Sequence, residues 1–304
     1  MKYSAKFNRN FRHIKDIDEV ILPYNAEGGD LAIFIPETFN KSQRIIVSLP
    51  TNEDVILAGI PSIQKLRNDG WNVTIRLSRW AYEHTNIPTD IPFFFEEYPR
   101  NLEEVYADAE SGVSDIYITE SLGFCMKAVK AIKERYEVQI RVIPNIAQCS
   151  PTARALISPM KKFWVRPEDT ELYEGYIDVF ELAGGVDDSR LSVVYEIYKQ
   201  QQWMGSLNDL ILDFGEDAET YPNLGMNPHF AEMRFNCGKG CLVGSCNLCD
   251  ELGHLAQSFS SVGIEIVKKR KIEPKTEEQK QEIMNRLRRA EDGSGSDEET
   301  VHIE

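Results

Sequence analysis

The chain has 304 residues and a formal net charge of −15, from 34 Lys plus Arg against 49 Asp plus Glu, so its overall field repels polyanions and anionic membrane surfaces. Hydrophobic residues make up 42% and charged residues 27%, which excludes a disordered or fibrous chain. There is no apolar run long enough for a membrane helix, and the N-terminus MKYSAKFNRNFRHIK lacks the apolar stretch of a secretory signal; the expectation is a cytoplasmic protein with no membrane partner and no preference for nucleic acid.

Taken in chain order, the first readable elements are Glu19–Leu22 and Asp30–Ile35 around AEGGD, which predict an N-terminal hairpin flanking the bottom of a larger unit. From Arg44 onward, short runs rich in β-branched and aromatic residues recur: Arg44–Leu49, Asn72–Leu77, Pro92–Phe95, Asp115–Ile118, Gln139–Ile143, Lys162–Val165 and Asp178–Leu182. Their starts fall 16 to 28 residues apart, room for one helix and two short turns per step, which is the sequence form of repeated βαβ units. Several runs are apolar without alternation, as strands covered on both faces are. Helical periodicity follows in between, clearest in Gly123–Tyr136 and again in Asp187–Gln202. An eighth strand falls at either Glu232–Phe235 or Gly263–Val267. The predicted fold is therefore an α/β protein, a (β/α)8 TIM-like barrel with a C-terminal cysteine-rich loop and an acidic tail.

The organisation that follows is an N-terminal lead-in over 1–43, a barrel over 44–267 and a C-terminal segment over 268–304. In that last segment KKRK at Lys268–Lys271 reads as a solvated basic linker. Thr276 with Gln279 forms a candidate capping box before Ile283, Met284 and Leu287, so a short amphipathic helix able to dock on a partner protein is expected there. GSGSDEETVHIE at the end is polar, acidic and expected to be disordered.

The strongest local signal is FNCGKGCLVGSCNLCDELGH, which places Cys237, Cys241, Cys246 and Cys249 within thirteen positions among Gly238, Gly240 and Gly244. Four thiols so close in a glycine-rich loop are an oxidation liability unless a centre holds them. A zinc ribbon spaces two short knuckles about 15–20 residues apart. Here all four ligands share one compact loop with unequal gaps, so a 4Fe–4S iron–sulfur cluster is the expected cofactor and Zn²⁺ the alternative. Cys125 and Cys149 read as buried thiols, and His254 as a substitute ligand at most.

In a barrel the reactive end is the one at the strands' C-termini. Just past or within the predicted strands stand Ser78, Arg79, Glu96, Glu97, Glu120, Asn145, Gln148, Arg166 and Glu181. Glu120, Asn145 and Arg166 are the candidate catalytic residues, for proton transfer, hydrogen bonding and anion positioning respectively. No HExxH, GxSxG or GxxxxGK[ST] motif is present, which weighs against the common hydrolase and nucleotide-binding classes.

Two segments, DIYITESLGFCMKAVKAIKERYEVQIRVIPNIAQCSPTARAL and AEMRFNCGKGCLVGSC, resemble the collagenase-like peptidase family (peptidase U-32). The resemblance implies a TIM-like barrel with a four-cysteine cluster and, in the family's hydroxylating members, an oxygen-independent hydroxylation. This chain departs from the pattern in that its third and fourth cysteines come sooner, and its acidity suits an RNA substrate poorly. The competing expectation is a non-catalytic assembly component with a structural zinc knuckle and a docking tail.

Overall fold

The computed structural model describes residues 1–8, 10–24, 30–118, 126–147, 160, 162–184, 189–213, 221–223, 226, 229–235 and 248–260. Eight strands, all paired in parallel, run in the order β5-β4-β3-β2-β1-β8-β7-β6. They are β1 (Lys2–Lys6), β2 (Glu19–Pro23), β3 (Arg44–Ser48), β4 (Asn72–Leu77), β5 (Phe93–Phe95), β6 (Asp115–Tyr117), β7 (Gln139–Val142) and β8 (Val179–Leu182). Between the two outer strands the Ser114 amide donates to the Phe93 carbonyl at 2.7 Å and its hydroxyl to the same oxygen at 3.1 Å. The sheet is thereby rolled into a nearly closed barrel of the (β/α)8 TIM-like type.

Helices separate most of the strands: α1 (Leu31–Thr38), α2 (Glu53–Asn68), α3 (Arg79–His84), α4 (Leu102–Glu110), α5 (Met126–Arg135) and α6 (Leu191–Gln200). Local chemistry starts them where they start. Asn52, Ser78 and Asn101 each accept a hydrogen bond from a backbone amide of the first turn of α2, α3 and α4, satisfying donors that a helix N-terminus leaves open. Gly70, at φ +82°, ends α2 and turns the chain into β4, a left-handed conformation that glycine adopts without steric cost. Ile45, Val47, Val73 and Ile75 on the strands meet Ile56, Ile63, Val105, Val129 and Ile132 on the helices, all fully buried. Each such side chain contributes about 1.5–3 kcal/mol through burial.

Three sequence expectations are corrected here. The predicted N-terminal hairpin is absent: β2 pairs in parallel with β1 and β3, and Asp30–Ile35 opens helix α1, capped by Asp30 on the Ala32 amide. The barrel begins at Lys2, with β1 seated between β2 and β8. Lys162–Val165 is no barrel strand. It covers the barrel end just past β7, with the Val165 amide on the Pro144 carbonyl, and its apolar residues Phe163, Trp164 and Val165 are buried there as a cap. Of the two candidates for the eighth strand, Glu232–Phe235 lies in helix α8 (Phe230–Phe235), which follows the short α7 (Leu207–Leu210), and Gly263–Val267 falls outside the described residues. The last described helix is α9 (Leu248–Ser260). Among the described residues no helix is long and apolar enough to cross a membrane.

Candidate functional site at the barrel mouth

The barrel interior is charged. Alternation along each strand sends every second side chain inward, and here the inward set includes Glu19, Arg44, Arg76, Asp115, Tyr117, Arg141 and Glu181. At the lower level Arg44 forms a fork with Asp115, Nη1 to Oδ1 at 2.8 Å and Nη2 to Oδ2 at 2.5 Å, while its Nε donates to Thr74 at 2.9 Å. Arg141, fully buried, donates through Nη2 to Glu19 at 2.5 Å and to Asp115 at 3.1 Å. Burial alone would raise the Asp115 pKa, but Arg141 and Arg44 overcome it and hold the carboxyl below its ordinary value. This lower layer is an internally paired ion lattice, the condition under which buried charge is tolerated.

The upper level, towards the C-terminal ends of the strands, is less completely paired. The Tyr117 hydroxyl donates to Glu181 Oε2 at 2.6 Å. Arg76 Nη1 donates to Tyr117 Oη at 3.2 Å and lies 3.5 Å from Glu181 Oε1. Tyr98, from the loop after β5, packs its ring on Tyr117 with centroids 4.9 Å apart, and is 37% exposed at the mouth. Burial raises the Tyr98 pKa, with the Glu181 charge acting in the same direction, so that its hydroxyl stays protonated. Arg76 Nε, Arg141 Nε and Arg141 Nη1 are buried without a hydrogen-bond partner. A buried donor left open costs about 1–3 kcal/mol. Arg141 Nη1 lies 3.5 Å from Glu181 Oε2, an ion pair that offsets part of this cost.

The residues expected from sequence are distributed differently. Asn145, 1% exposed, closes a two-way bracket with Ala183, accepting its amide at 2.8 Å and donating to its carbonyl at 2.9 Å; it ties the end of β7 to the end of β8. Arg166 is buried and bonded through Nε and Nη2 to both carboxylate oxygens of Asp169, three residues on. Ser78 caps α3, and Glu97 accepts the Arg79 amide at 3.0 Å while Arg79 pairs with Asp108. Glu181 is at the mouth as expected. Glu120, Gln148, Cys237, Cys241 and Cys246 lie outside the described residues. Sequence reasoning missed Arg76, Tyr117 and Tyr98. The signal for Arg76 was the alternation Asn72, Thr74, Arg76 inside an otherwise apolar strand.

Cys249 is half-buried near the start of α9 and packs against the core. Leu252 and Ala256 of the same helix are buried, and a Cβ at Gly253 would stand 2.6 Å from Met160 and 3.1 Å from Tyr221, so α9 lies tightly on those segments. On the other flank of the cysteine loop, Phe230 of α8 stacks on Trp164 at 5.5 Å, within the cap beyond the C-terminal end of β7. The Tyr221 carbonyl accepts the Leu207 amide, and the Leu212 amide donates to the Asn145 carbonyl just past β7, so the segments on which both bounding helices pack are tied to the end of the barrel that carries Arg76, Tyr117 and Glu181. Among the described residues no group of three or more His, Cys, Asp or Glu side chains is arranged to hold a metal ion.

No family model matches the chain. An uncharacterized protease of Methanocaldococcus jannaschii is 29% identical over 100 residues, which is 32% of this chain and 29% of that protein. The chain thus matches less than a third of that relative's length. A U32 peptidase of solved structure, Mk0906, aligns over 61% of this chain and 93% of its own, at 17% identity and a TM-score of 0.37. What this chain carries is a weak peptidase-U-32-like resemblance on a barrel that its own strand pairing defines.

Proposed function

We propose that the chain is an iron–sulfur enzyme built on a peptidase-U-32-like barrel, with its active site at the mouth formed by Arg76, Tyr98, Tyr117 and Glu181. The observation that carries this reading is the shared location: the two helices bounding the cysteine loop dock at the same barrel end as an incompletely paired, buried polar cluster. Four thiolates are a soft donor set that suits a 4Fe–4S cluster, and Cys237, Cys241, Cys246 and Cys249 would hold it. A bound cluster supplies one-electron transfer, and the reaction class implied by the resemblance is an oxygen-independent hydroxylation.

The protein groups have separable tasks in this reading. Glu181 accepts the Tyr117 proton in a hydrogen bond at 2.6 Å, a pair able to hold or pass a proton at the mouth. Glu120, placed by the sequence after β6, keeps its proposed proton-transfer role. Asn145 and Arg166 act by position: one fixes the ends of β7 and β8, the other fixes the segment after Arg166 through Asp169.

The test is anaerobic purification of the full chain with analysis of iron, sulfide and zinc. A brown protein whose broad visible absorption bleaches on reduction, and which Cys241→Ser renders colourless, supports the reading. A colourless protein carrying stoichiometric zinc overturns it and assigns the cysteines to a structural knuckle in an assembly component, with residues 268–304 as its docking tail.

A further inference from the structure

We propose that Glu168 and Asn223 form a latch closed by a single proton, which fastens the segment seating α9. Glu168 lies in the first turn of the 3-10 helix Pro167–Tyr173. Its Oε1 accepts the Trp203 amide at 2.6 Å and Asn223 Nδ2 at 2.7 Å, and Nδ2 also donates to the Trp203 carbonyl at 2.8 Å. Both of these acceptors require the nitrogen, so the orientation of the Asn223 amide is fixed. Glu168 Oε2 and Asn223 Oδ1 are then buried with no donor to either. Among the described residues no cation bonds this carboxylate: Arg166, whose charge reaches Glu168, spends Nε and Nη2 on Asp169. Trp203 and Asn223 bring only neutral groups. A proton supplies what is missing. On Oε2 it turns an acceptor into a donor, Asn223 Oδ1 can take that hydrogen bond, and the corner then carries no net buried charge.

The surroundings favour the protonated form. Burial raises the Glu168 pKa and Asp169 adds to the rise, while its own amide, the Trp203 amide and Arg166 oppose the rise without reversing it. From α6 the facing titratable group is Tyr198, a phenol that burial keeps protonated and whose hydroxyl donates to the Val165 carbonyl at 2.7 Å. Helix α8, packed on the same 3-10 turn, carries Glu232, which pairs with His229 at 3.0 Å. The folded state thus holds the Glu168 proton more tightly than the unfolded state does. The latch contributes its full stability below the ordinary carboxylate range and loses it as pH rises through the raised value. What it fastens supports the cap. The Asn223 amide donates to the Gly205 carbonyl and the Leu207 amide to the Tyr221 carbonyl, and Tyr221 is one of the side chains on which α9 closes at Gly253. Ionisation of Glu168 therefore loosens the seat of α9, whatever the cysteines hold.

The test pairs infrared difference spectra with thermal melts of the full chain and of Glu168→Gln, whose amide stands in for the protonated acid at every pH. In the wild-type chain a protonated-carboxyl carbonyl band should titrate above the ordinary carboxylate range, and Glu168→Gln should lack it. Over the same window the wild-type melting temperature should fall relative to Glu168→Gln by a few degrees per pH unit, the slope one proton sets. At the acid end the two should coincide. The Trp203 amide should exchange with deuterium faster in the wild-type chain than in Glu168→Gln at neutral pH, and equally at the acid end. If Glu168→Gln does not fold, Asn223→Leu takes its place: it removes the acceptor of the acid proton, so the wild-type band should move to higher frequency, and an unmoved band overturns the proposal. No carboxyl band above the ordinary range, or melts that stay parallel at every pH, means that buried water supplies the donors and Glu168 remains ionised. A melting temperature that rises when potassium replaces choline at constant ionic strength, and only with Glu168 present, gives the two oxygens to a cation instead. Either result overturns the latch.

Discussion

The Tyr117 hydroxyl donates to Glu181 Oε2 at 2.6 Å, joining β6 to β8 over the intervening β7. It is a long-range bond placed inside the barrel, beside the guanidinium groups of Arg76 and Arg141. Tyr117→Phe should keep the ring packed under Tyr98 and remove only the hydroxyl. The expected cost is about 1–2 kcal/mol of stability, read as a lower urea midpoint with an unchanged slope. Turnover should fall far more than that figure implies if the Tyr117–Glu181 pair handles a proton, and Glu181→Gln should show the same loss while leaving the visible absorption of the protein intact.

Arg141 holds Glu19 and Asp115 at once; without it Asp115 keeps its fork with Arg44, but Glu19 keeps only Arg44 Nη1 at 3.4 Å. Arg141→Met should destabilise the fold by about 3–5 kcal/mol, the penalty for leaving one side of a buried ion pair uncompensated. Adding Glu19→Gln should cost less than the sum of the single changes, because the second substitution removes the charge the first has left short of a partner. Chemical denaturation of the two singles and the double measures this coupling.

Acid should unfold the protein through the lower layer. Asp115 has its folded pKa below the ordinary value, so its stabilising contribution is complete above the unfolded carboxylate pKa and is lost as pH falls through the folded one. Stability against pH should therefore drop steeply below the usual carboxylate range. The acid limb should be shallower in Asp115→Asn, which begins from a lower stability at neutral pH.

At the alkaline end Tyr3 provides a second probe. Its hydroxyl donates to the Tyr198 carbonyl at 2.9 Å, and burial, assisted by the charges of Tyr195 and Asp18, pushes its pKa from 10.0 up to about 12. The folded state thus holds this proton more tightly than the unfolded state does. The corresponding stability is fully present below the unfolded value and is lost as pH rises through the folded one. Tyr3→Phe should flatten part of the decline of melting temperature above pH 10, and the remainder should follow Tyr117 and Tyr198, whose pKa values burial also raises.

The docking of α9 is tested at Gly253. A leucine there has no room against Met160 and Tyr221, so Gly253→Leu should lower the melting temperature and, on the proposed function, the iron content of the purified protein. The exposed Val193 of α6 serves as the control, and Val193→Gln should leave both unchanged.

Much of the barrel was legible because its strands obey a simple rule. Arg44–Ser48, Asn72–Leu77, Asp115–Tyr117 and Gln139–Val142 are covered by helices on one side and barrel interior on the other, so they read as apolar runs at regular spacing. The first strand did not, since Lys2, Ser4 and Lys6 break the run and only Tyr3 and Ala5 face the helical layer. Lys162–Val165 misled in the opposite sense: Phe163 and Trp164 are apolar because they cover the barrel end, and no periodicity distinguishes a cap from a strand. The site was hidden for a further reason. Arg44 and Asp115 are separated by 71 residues and Arg141 and Glu19 by 122, and a charge inside a strand announces that it needs a partner without saying which. Asn145 and Arg166 stood where barrel chemistry is expected, but their side chains are taken up by Ala183 and Asp169.

Among the described residues the β5–β6 edge is stitched by Ser114, with its amide and hydroxyl both on the Phe93 carbonyl. A cylinder has its breathing concentrated where neighbouring strands are joined so sparsely. Amide protons of Phe93–Phe95 and Asp115–Tyr117 should exchange with deuterium sooner than those of β2 and β3. Since Ser114 also bonds Asp115 and Arg44, each opening of the seam would loosen the ion lattice at the same moment, giving water a transient side door into an interior otherwise reached from the mouth.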